Sequence, residues 1–260
     1  MRMPVIFIGH GSPMNAIEDN DFSQSWKDLG ARLPKPKAIL SVSAHWFAEG
    51  TFASDSAHPK TIYDMYGFPD ALYEIVYHAP GAPETARRAM ALLGRPAALD
   101  RTWGLDHGTW SVLHRMYPAA DIPVFQLSVD RNASFRAHYE MGRLLRPLRD
   151  EGVLVMGSGN VVHNLARVNW SLPGGYPWAE VFDRYIRESV LNGDPENVVD
   201  PRGAGPSAQL AIPTPDHYAP LLYALGAADA TDKATAFNDV CVLGSLSMTS
   251  YLFEEKENDA

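Results

Sequence analysis

Histidine is the residue type in this chain whose placement most directly suggests chemistry. Four of the nine histidines end a strand-like segment or begin a helix-like one, beside small or turn-forming residues: His10, His45, His163 and His217. A fifth, His107, lies in the loop-like segment 104–110. Taken singly, each is better explained as a structural residue. Because ligands of open α/β sheets bind at the carboxyl ends of strands, joint placement there favours a divalent metal site.

The elements that must position these histidines are short apolar segments alternating with amphipathic ones. Strands buried on both faces are predicted at residues 5–8, 38–43, 124–129, 153–156 and 240–243, the last continuing towards Leu252. Helical stripes cover residues 86–93, 141–148, 182–189 and 218–225, and Pro147 should end the second stripe. The alternation predicts α/β architecture, with a mostly parallel central sheet flanked by helices.

Composition limits the domain count and the classes of partner. The 260 residues are 46% hydrophobic and 20% charged, which suits one domain over residues 1–260 with a frayed acidic tail at 254–260. A net charge of −9 without a basic cluster argues against nucleic acid. No apolar run reaches the roughly 18 residues of a membrane helix, and no signal peptide is recognisable. We therefore expect a cytoplasmic protein, with the single Cys241 as a core residue.

Several residues near the histidines have more than one interpretation. Asp216 could cap the helix that follows it or orient an imidazole. Asp106 and His107 could form an oriented acid–base pair. His138 is expected on the solvated face of its helix. The aromatic-rich segment 47–83 is either a functional loop or an excursion packed on the sheet.

Motifs of the common hydrolases and nucleotide-binding proteins are absent from the sequence. There is no Gly-x-Ser-x-Gly elbow, no Cys-x-x-Cys pair and no His-Glu-x-x-His helix. The turn Gly157-Ser158-Gly159 lacks both the third glycine of a dinucleotide motif and the lysine of a phosphate loop. The simplest assignments to those classes are therefore excluded.

Six segments, in order, resemble the class III extradiol ring-cleavage dioxygenases, and most closely their DOPA 4,5-dioxygenase branch, which has bacterial members. They are residues 9–15, 43–46, 66–69, 106–110, 157–165 and 215–218. The resemblance implies a single-domain α/β fold. It also implies cleavage of a DOPA-like catechol by O2 beside the two hydroxyls, giving a muconic semialdehyde. The expected partners are then a catechol-type small molecule and O2.

The same resemblance implies roles for the histidines. His10 and His45 stand at the first two metal-ligand positions, and His217 stands where many class III enzymes carry a glutamate ligand. His163 matches the acid–base residue near the metal and is also a candidate fourth ligand. His107 matches a histidine that contacts the substrate hydroxyl or the oxygen species.

The metal and the substrate contacts follow from this resemblance as well. Active family members use Fe(II), although an all-imidazole set suits Zn(II) equally well. Tyr66 and Phe68, from the aromatic segment 63–68, are expected to line the bound ring. Two alternatives stay open: a zinc-dependent hydrolase that uses the same histidines, and a non-catalytic metal-binding protein of the same fold.

Overall fold

Strands and helices alternate along the chain in a computed structural model that describes residues 2–94 and 97–256. The strands are β1 Val5–Gly9, β2 Ala38–Ala48, β3 Phe52–Ser54, β4 Ala98–Asp100, β5 Val124–Asp130, β6 Val153–Gly159, β7 Asp232–Phe237, β8 Cys241–Val242, β9 Leu246–Ser247 and β10 Ser250–Glu255. The α-helices are α1 Asp21–Arg32, α2 Asp70–Tyr73, α3 Pro83–Leu93, α4 His107–Met116, α5 Phe135–Leu145, α6 Pro177–Leu191, α7 Pro195–Val199, α8 Pro206–Ala211 and α9 Ala219–Ala227. Within the described ranges, no helix is long and apolar enough to cross a membrane.

Eight strands form one sheet in the order β4-β3-β5-β2-β6-β1-β10-β7. The four central strands β5, β2, β6 and β1 are parallel, whereas β3 and β10 join them antiparallel. Parallel neighbours bring their carboxyl ends to the same edge, which is where the sequence puts His10 and His163. The predicted α/β fold with a mostly parallel central sheet and flanking helices is confirmed.

The central strands bury side chains on both faces, so the protein has two hydrophobic cores. In β1, Val5 and Phe7 belong to the core that also contains residues of α3, α5, α6 and α9. Ile6 and Ile8 point to the other face and pack with residues of α1 and α4. This alternation is the two-residue period of a strand, and it explains why these segments read as continuously apolar.

Helix ends largely follow the signals in the sequence. Helix α5 ends at Leu145, and the chain continues through Pro147 as the short 3-10 turn Arg146–Arg149. Helix α9 differs from its predicted amphipathic stripe, because its residues are buried almost all round between β6 and α5. Cys241 is buried and unpaired, as expected of a core residue.

Two predictions near the carboxyl terminus are wrong. The expected strand at 240–243 is only the two-residue β8, because Leu243 and Gly244 adopt positive φ angles and turn the chain. The tail expected to be frayed from residue 254 is instead paired at its start, since Glu254 and Glu255 belong to β10 and pair with Lys233 and Asp232. Cross-strand pairing with β7 holds these acidic residues in place. The rest of that tail, from residue 257, lies outside the described residues.

His138 was also wrongly expected at the surface. It is fully buried on α5, with Nδ1 lying 3.2 Å from the Tyr223 hydroxyl of α9. A buried imidazole needs polar partners, and α9 supplies one because that helix is itself inside the protein. The segment 47–83 contains the end of β2, the short β3 and α2, and is otherwise irregular.

Candidate metal and catalytic site

Five imidazoles gather at the carboxyl edge of the central strands. His10 follows β1 directly, and its backbone N–H donates to the Gly159 carbonyl of β6 at 3.1 Å. Its ring centroid lies 5.0 Å from that of His45 and 5.4 Å from that of His217. The rings of His45 and His107 are 3.9 Å apart. The predicted convergence of these histidines is therefore confirmed.

Each imidazole comes from a different part of the fold, and two local predictions need correction. His45 does not end its strand but lies inside β2, where the pairing with β5 shifts between Val42 and Phe47. His107 is not in a loop but is the first residue of α4. His217 precedes α9, and its carbonyl accepts from the N–H of Asn160 at 2.9 Å.

His10 is held by a short relay of hydrogen bonds. The Ser158 hydroxyl donates to the Gly108 carbonyl at 2.5 Å, and the same oxygen lies 3.0 Å from Nδ1 of His10. Because a carbonyl can only accept, the single hydroxyl proton of Ser158 is used there, and its oxygen must accept from His10. Nδ1 of His10 therefore carries the proton, and Nε2 presents a lone pair.

Carboxylates hold the other two rings of this group in the same way. Nδ1 of His45 lies 3.1 Å from Oδ2 of Asp64. Nδ1 of His217 contacts Oδ2 of Asp216, so that this aspartate orients the imidazole and does not cap α9. An ionised carboxylate accepts only, which places the proton of both rings on Nδ1 and leaves Nε2 free.

Three nitrogen lone pairs consequently face a common point. One ring nitrogen from each of His10, His45 and His217 lies within 4.8 Å of the others. The Nε2 atoms of His10 and His45 are only 3.1 Å apart, so without a metal one of the two carries a proton, which a bound metal ion would replace. Three oriented neutral imidazoles are a donor set that fits a divalent metal.

Burial sets the charge state of these rings. Desolvation, reinforced by the neighbouring imidazoles, lowers the pKa of His10 well below its usual value. Burial also lowers the pKa of His217 to about 4, although Asp216 opposes the shift. Burial acts on His45 too, but its contact with Asp64 and the nearby Asp106 raise its pKa overall. His10 and His217 are therefore uncharged at neutral pH, as metal binding requires, whereas His45 holds its proton to higher pH and would release it on binding a metal.

His163 occupies a distinct position beside this group. Its ring stacks on that of His217, with centroids 3.4 Å apart and planes 6° from parallel. Its nitrogen forms a second close group with Asp216 and His217, not with His10 and His45. Burial, with His217 alongside, lowers the pKa of His163 to about 2, so the ring is neutral at neutral pH.

Asp106 does not orient His107, contrary to one expectation. It is fully buried, where it accepts from Ser43 Oγ at 2.7 Å and from Nε2 of Gln126 at 2.7 Å. It also caps α4 by accepting from the N–H of Thr109 at 3.1 Å. Asp106 therefore fixes the start of α4 against β2 and β5, while the carboxylate near His107 is Asp64.

The first turn of α4 approaches the site very closely. A Cβ atom on Gly108 would lie 2.7 Å from Ser43 Oγ and 2.9 Å from a ring carbon of His45. Only glycine at this position lets the helix bring His107 and the Gly108 carbonyl beside the imidazoles. The segment 106–110 is thus a packing motif as well as a source of one histidine.

The expected substrate residues lie on the segment that carries Asp64. Phe68 is partly buried against the core that contains α1 and α4. Tyr66 is 92% exposed at a turn in which Gly67 has φ +78°. Both residues lie within four positions of Asp64 in the chain, and their contact with a ring stays a prediction.

Two residues that orient the imidazoles were not assigned by the sequence. Ser158 stood in a recognised Gly-Ser-Gly turn without a role, and Asp64 stood unmarked among aromatic residues. The local signal for Asp64 is a single acid in an otherwise aromatic stretch. Such a signal is weak, because exposed acids are common in loops.

Comparison with known proteins identifies the family. Residues 4–254 match the family model of the catalytic LigB subunit of aromatic ring-opening dioxygenase. The chain is 48% identical over 260 residues to the 4,5-DOPA dioxygenase extradiol of Escherichia coli K12, covering 96% of this chain and 94% of that protein. It is 41% identical to the protein of the same name from Beta vulgaris, covering 95% of each.

A solved structure supports the same relationship. An uncharacterized protein from Escherichia coli K12 superposes with a TM-score of 0.83 at 43% identity, covering 96% of this chain and 99% of that one. The open alternatives of a zinc hydrolase and a non-catalytic protein lose their support, because the matched family consists of ring-opening enzymes. The chain belongs to the LigB family of aromatic ring-opening dioxygenases and is an enzyme of the extradiol class.

Proposed function

We propose that this enzyme opens the ring of a DOPA-like catechol by 4,5-cleavage with O2, giving a muconic semialdehyde, and that it depends on Fe(II). The observation that carries the proposal is the set of three imidazoles whose Nδ1 atoms are all anchored and whose Nε2 atoms face one another. The relatives named 4,5-DOPA dioxygenase extradiol support the substrate class.

His10, His45 and His217 would hold the metal through Nε2. Fe(II) bound there supplies the redox chemistry that lets a catechol and O2 react together. Zn(II) would bind the same donors but has no redox chemistry of its own, which is why we propose iron for activity. The proposed set contains no carboxylate ligand, since Asp64 and Asp216 contact imidazole Nδ1 atoms instead.

His163 is the residue that would act as the acid–base catalyst. Its ring stacks on that of the proposed ligand His217, which places it beside the proposed metal site, where it would accept the proton of an entering catechol hydroxyl. The same nitrogen can return the proton to an oxygen of the opened ring. Its stacking on His217 and its grouping with Asp216 favour this role over that of a fourth ligand.

His107 and the aromatic residues would position the substrate. The His107 ring lies against that of His45, and its Nδ1 is 3.1 Å from Asp64, so Nε2 is the nitrogen left to contact a substrate hydroxyl or oxygen. Tyr66 and Phe68 would cover the ring from the entrance and limit the access of water. Both roles follow from the positions of these side chains beside the Asp64 segment.

Anaerobic reconstitution tests the proposal. Metal-free protein loaded with Fe(II) and then given DOPA and O2 should consume oxygen and form a yellow semialdehyde. The zinc-loaded protein, prepared in parallel, should bind its metal and show no oxygen uptake. If iron-loaded protein turns over no catechol in a broad panel, the proposed substrate class is wrong.

A further inference from the structure

Asp64 is an aspartate on an irregular segment whose side chain reaches into the histidine cluster. It lies between β3 and α2, and its neighbours Tyr63 and Met65 pack against the core. Asp64 as a whole residue is exposed, but its side chain is only 21% exposed. A surface segment therefore contributes a carboxylate to the interior of the site.

The two oxygens of Asp64 contact two different imidazoles. Oδ2 lies 3.1 Å from Nδ1 of His45. Oδ1 accepts from the backbone N–H of His107 at 2.9 Å, and it lies 3.1 Å from Nδ1 of the same residue, a close contact outside hydrogen-bond geometry. One carboxylate is thus shared between a proposed metal ligand and a proposed substrate-contacting histidine.

This sharing has a definite consequence for the protons. A neutral imidazole carries one N–H, and an ionised carboxylate can only accept hydrogen bonds. Both rings therefore place their proton on Nδ1, towards Asp64, and direct an Nε2 lone pair into the site. The same carboxylate fixes the orientation of both ring planes, as partners of ligating histidines generally do.

We propose that Asp64 is a positioning residue that sets the tautomer of His45 and His107 together. The proposal rests on the proposed function of His45 as a metal ligand, and it adds a residue that neither touches the metal nor reacts. In this role Asp64 also connects the segment bearing Tyr66 and Phe68 to the metal site. The orientation of the His45 ring then depends on the correct placement of that segment.

Replacement by asparagine should separate the two contacts. The side chain of D64N has one accepting oxygen and one donating amide group. The oxygen is expected to stay beside His107, where the backbone N–H donates to it. The amide group then faces Nδ1 of His45, which must accept, so the proton of His45 moves to Nε2 and blocks its metal lone pair.

The experiment measures tautomers and metal affinity in D64N, in D64A and in a control. Two-bond nitrogen–proton NMR correlations on metal-free protein should show the His45 proton on Nε2 in D64N, with His107 unchanged. The affinity for Zn²⁺, measured by chelator competition, should fall by about 10- to 100-fold, as for other partners of ligating histidines. In D64A both rings should lose their fixed tautomer. D70N, which removes the same charge from exposed Asp70 at the start of α2, should behave like the wild type.

The possible results have distinct meanings. Retention of the Nδ1 proton by His45 in D64N, with Zn²⁺ affinity within about threefold of wild type, would overturn the proposal, since such partners matter by ten-fold or more. Wild-type protein that binds no metal would refute the proposed function. The tautomers of His45 and His107 in the metal-free protein would still test the role of Asp64.

Discussion

The two ends of the sheet differ in whether their buried polar groups have complete sets of hydrogen-bond partners. At the amino end, Arg149 and Asp232 form an almost fully buried ion pair with two hydrogen bonds, at 2.6 and 3.1 Å. The Arg149 guanidinium also donates to the carbonyls of Met3 and Ala227, at 2.7 and 3.1 Å. Charges and hydrogen bonds are matched there, and the pair ties the start of β1 to the start of β7.

At the carboxyl end, the buried polar groups are oriented but not matched. Serine and carboxylate partners fix Nδ1 of His10, His45 and His217, and the opposite nitrogens face one another instead of a donor. A buried polar group that has all its hydrogen-bond partners contributes to the stability of the fold. Nitrogen lone pairs that point to one place without a donor are available to bind a ligand such as a metal ion. The completeness of the hydrogen-bond partners therefore distinguishes the structural ion pair at one end of the sheet from the functional site at the other.

Removing the metal should produce the largest effect on activity, and it should affect only the site at the carboxyl end of the sheet. Chelation is expected to abolish turnover while the fold is retained, because the two hydrophobic cores do not depend on the site. Since a metal binds only the folded protein, Zn²⁺ at 100 times its Kd should add about 2.7 kcal/mol to the free energy of unfolding. Oxygen uptake and thermal unfolding, before and after metal is restored, measure the two effects. Full activity in chelated protein would contradict the comparison.

Replacing His163 should remove acid–base chemistry without removing the metal. His163→Phe keeps a ring that can stack on His217 but has no nitrogen, so kcat is expected to fall by about 10²- to 10⁴-fold. Metal content should stay at the wild-type level, measured by elemental analysis, and the exposed His78→Ala serves as the control. Loss of metal together with rate would show that His163 is a ligand instead.

Breaking the ion pair at the amino end should have the reverse pattern. Arg149→Met leaves Asp232 buried without its cation, which is expected to cost about 3–5 kcal/mol in the free energy of unfolding. The rate per folded, metal-loaded molecule should not change. Denaturant unfolding and kcat measure the two quantities. A second change, Asp232→Leu, should recover part of the stability, and a drop in kcat at constant stability would contradict the distinction.

Ser158→Ala should give the smallest effect. It tests whether the orientation of the His10 ring contributes to metal binding. Without the Ser158 oxygen, His10 loses the acceptor that keeps its proton on Nδ1, and metal affinity is expected to fall by about 10- to 100-fold. The buried Ser189→Ala, whose hydroxyl bonds to the Tyr185 carbonyl of its own helix, is the matched control. Equal Zn²⁺ affinities of both variants in chelator competition would show that the hydrogen bond between Ser158 and His10 does not contribute to metal binding.

Prediction from sequence worked where the signal is local. Strands β1, β5 and β6 follow from continuous apolar runs, and the end of α5 follows from Pro147. Strands β3 and β4 were missed because three residues carry too little pattern; β3 is placed by pairing with β5, and the edge strand β4 by pairing with β3.

The sequence by itself determined which residues could form the site and at which edge of the sheet they would meet. Histidines beside glycines at strand ends, in a fixed order, are a property of the chain alone. Their convergence follows from the parallel sheet, which the apolar pattern also predicts.

Only the tertiary structure decided which atom of each histidine is available. His10 and Ser158 are 148 residues apart in the chain, and Arg149 and Asp232 are 83 apart. Contacts over such distances have no local signature, because any serine or aspartate brought to that place by the fold could make them. The same reason explains why His138, which looks like a surface residue in its helix, is buried, and why Asp64 became visible only in three dimensions.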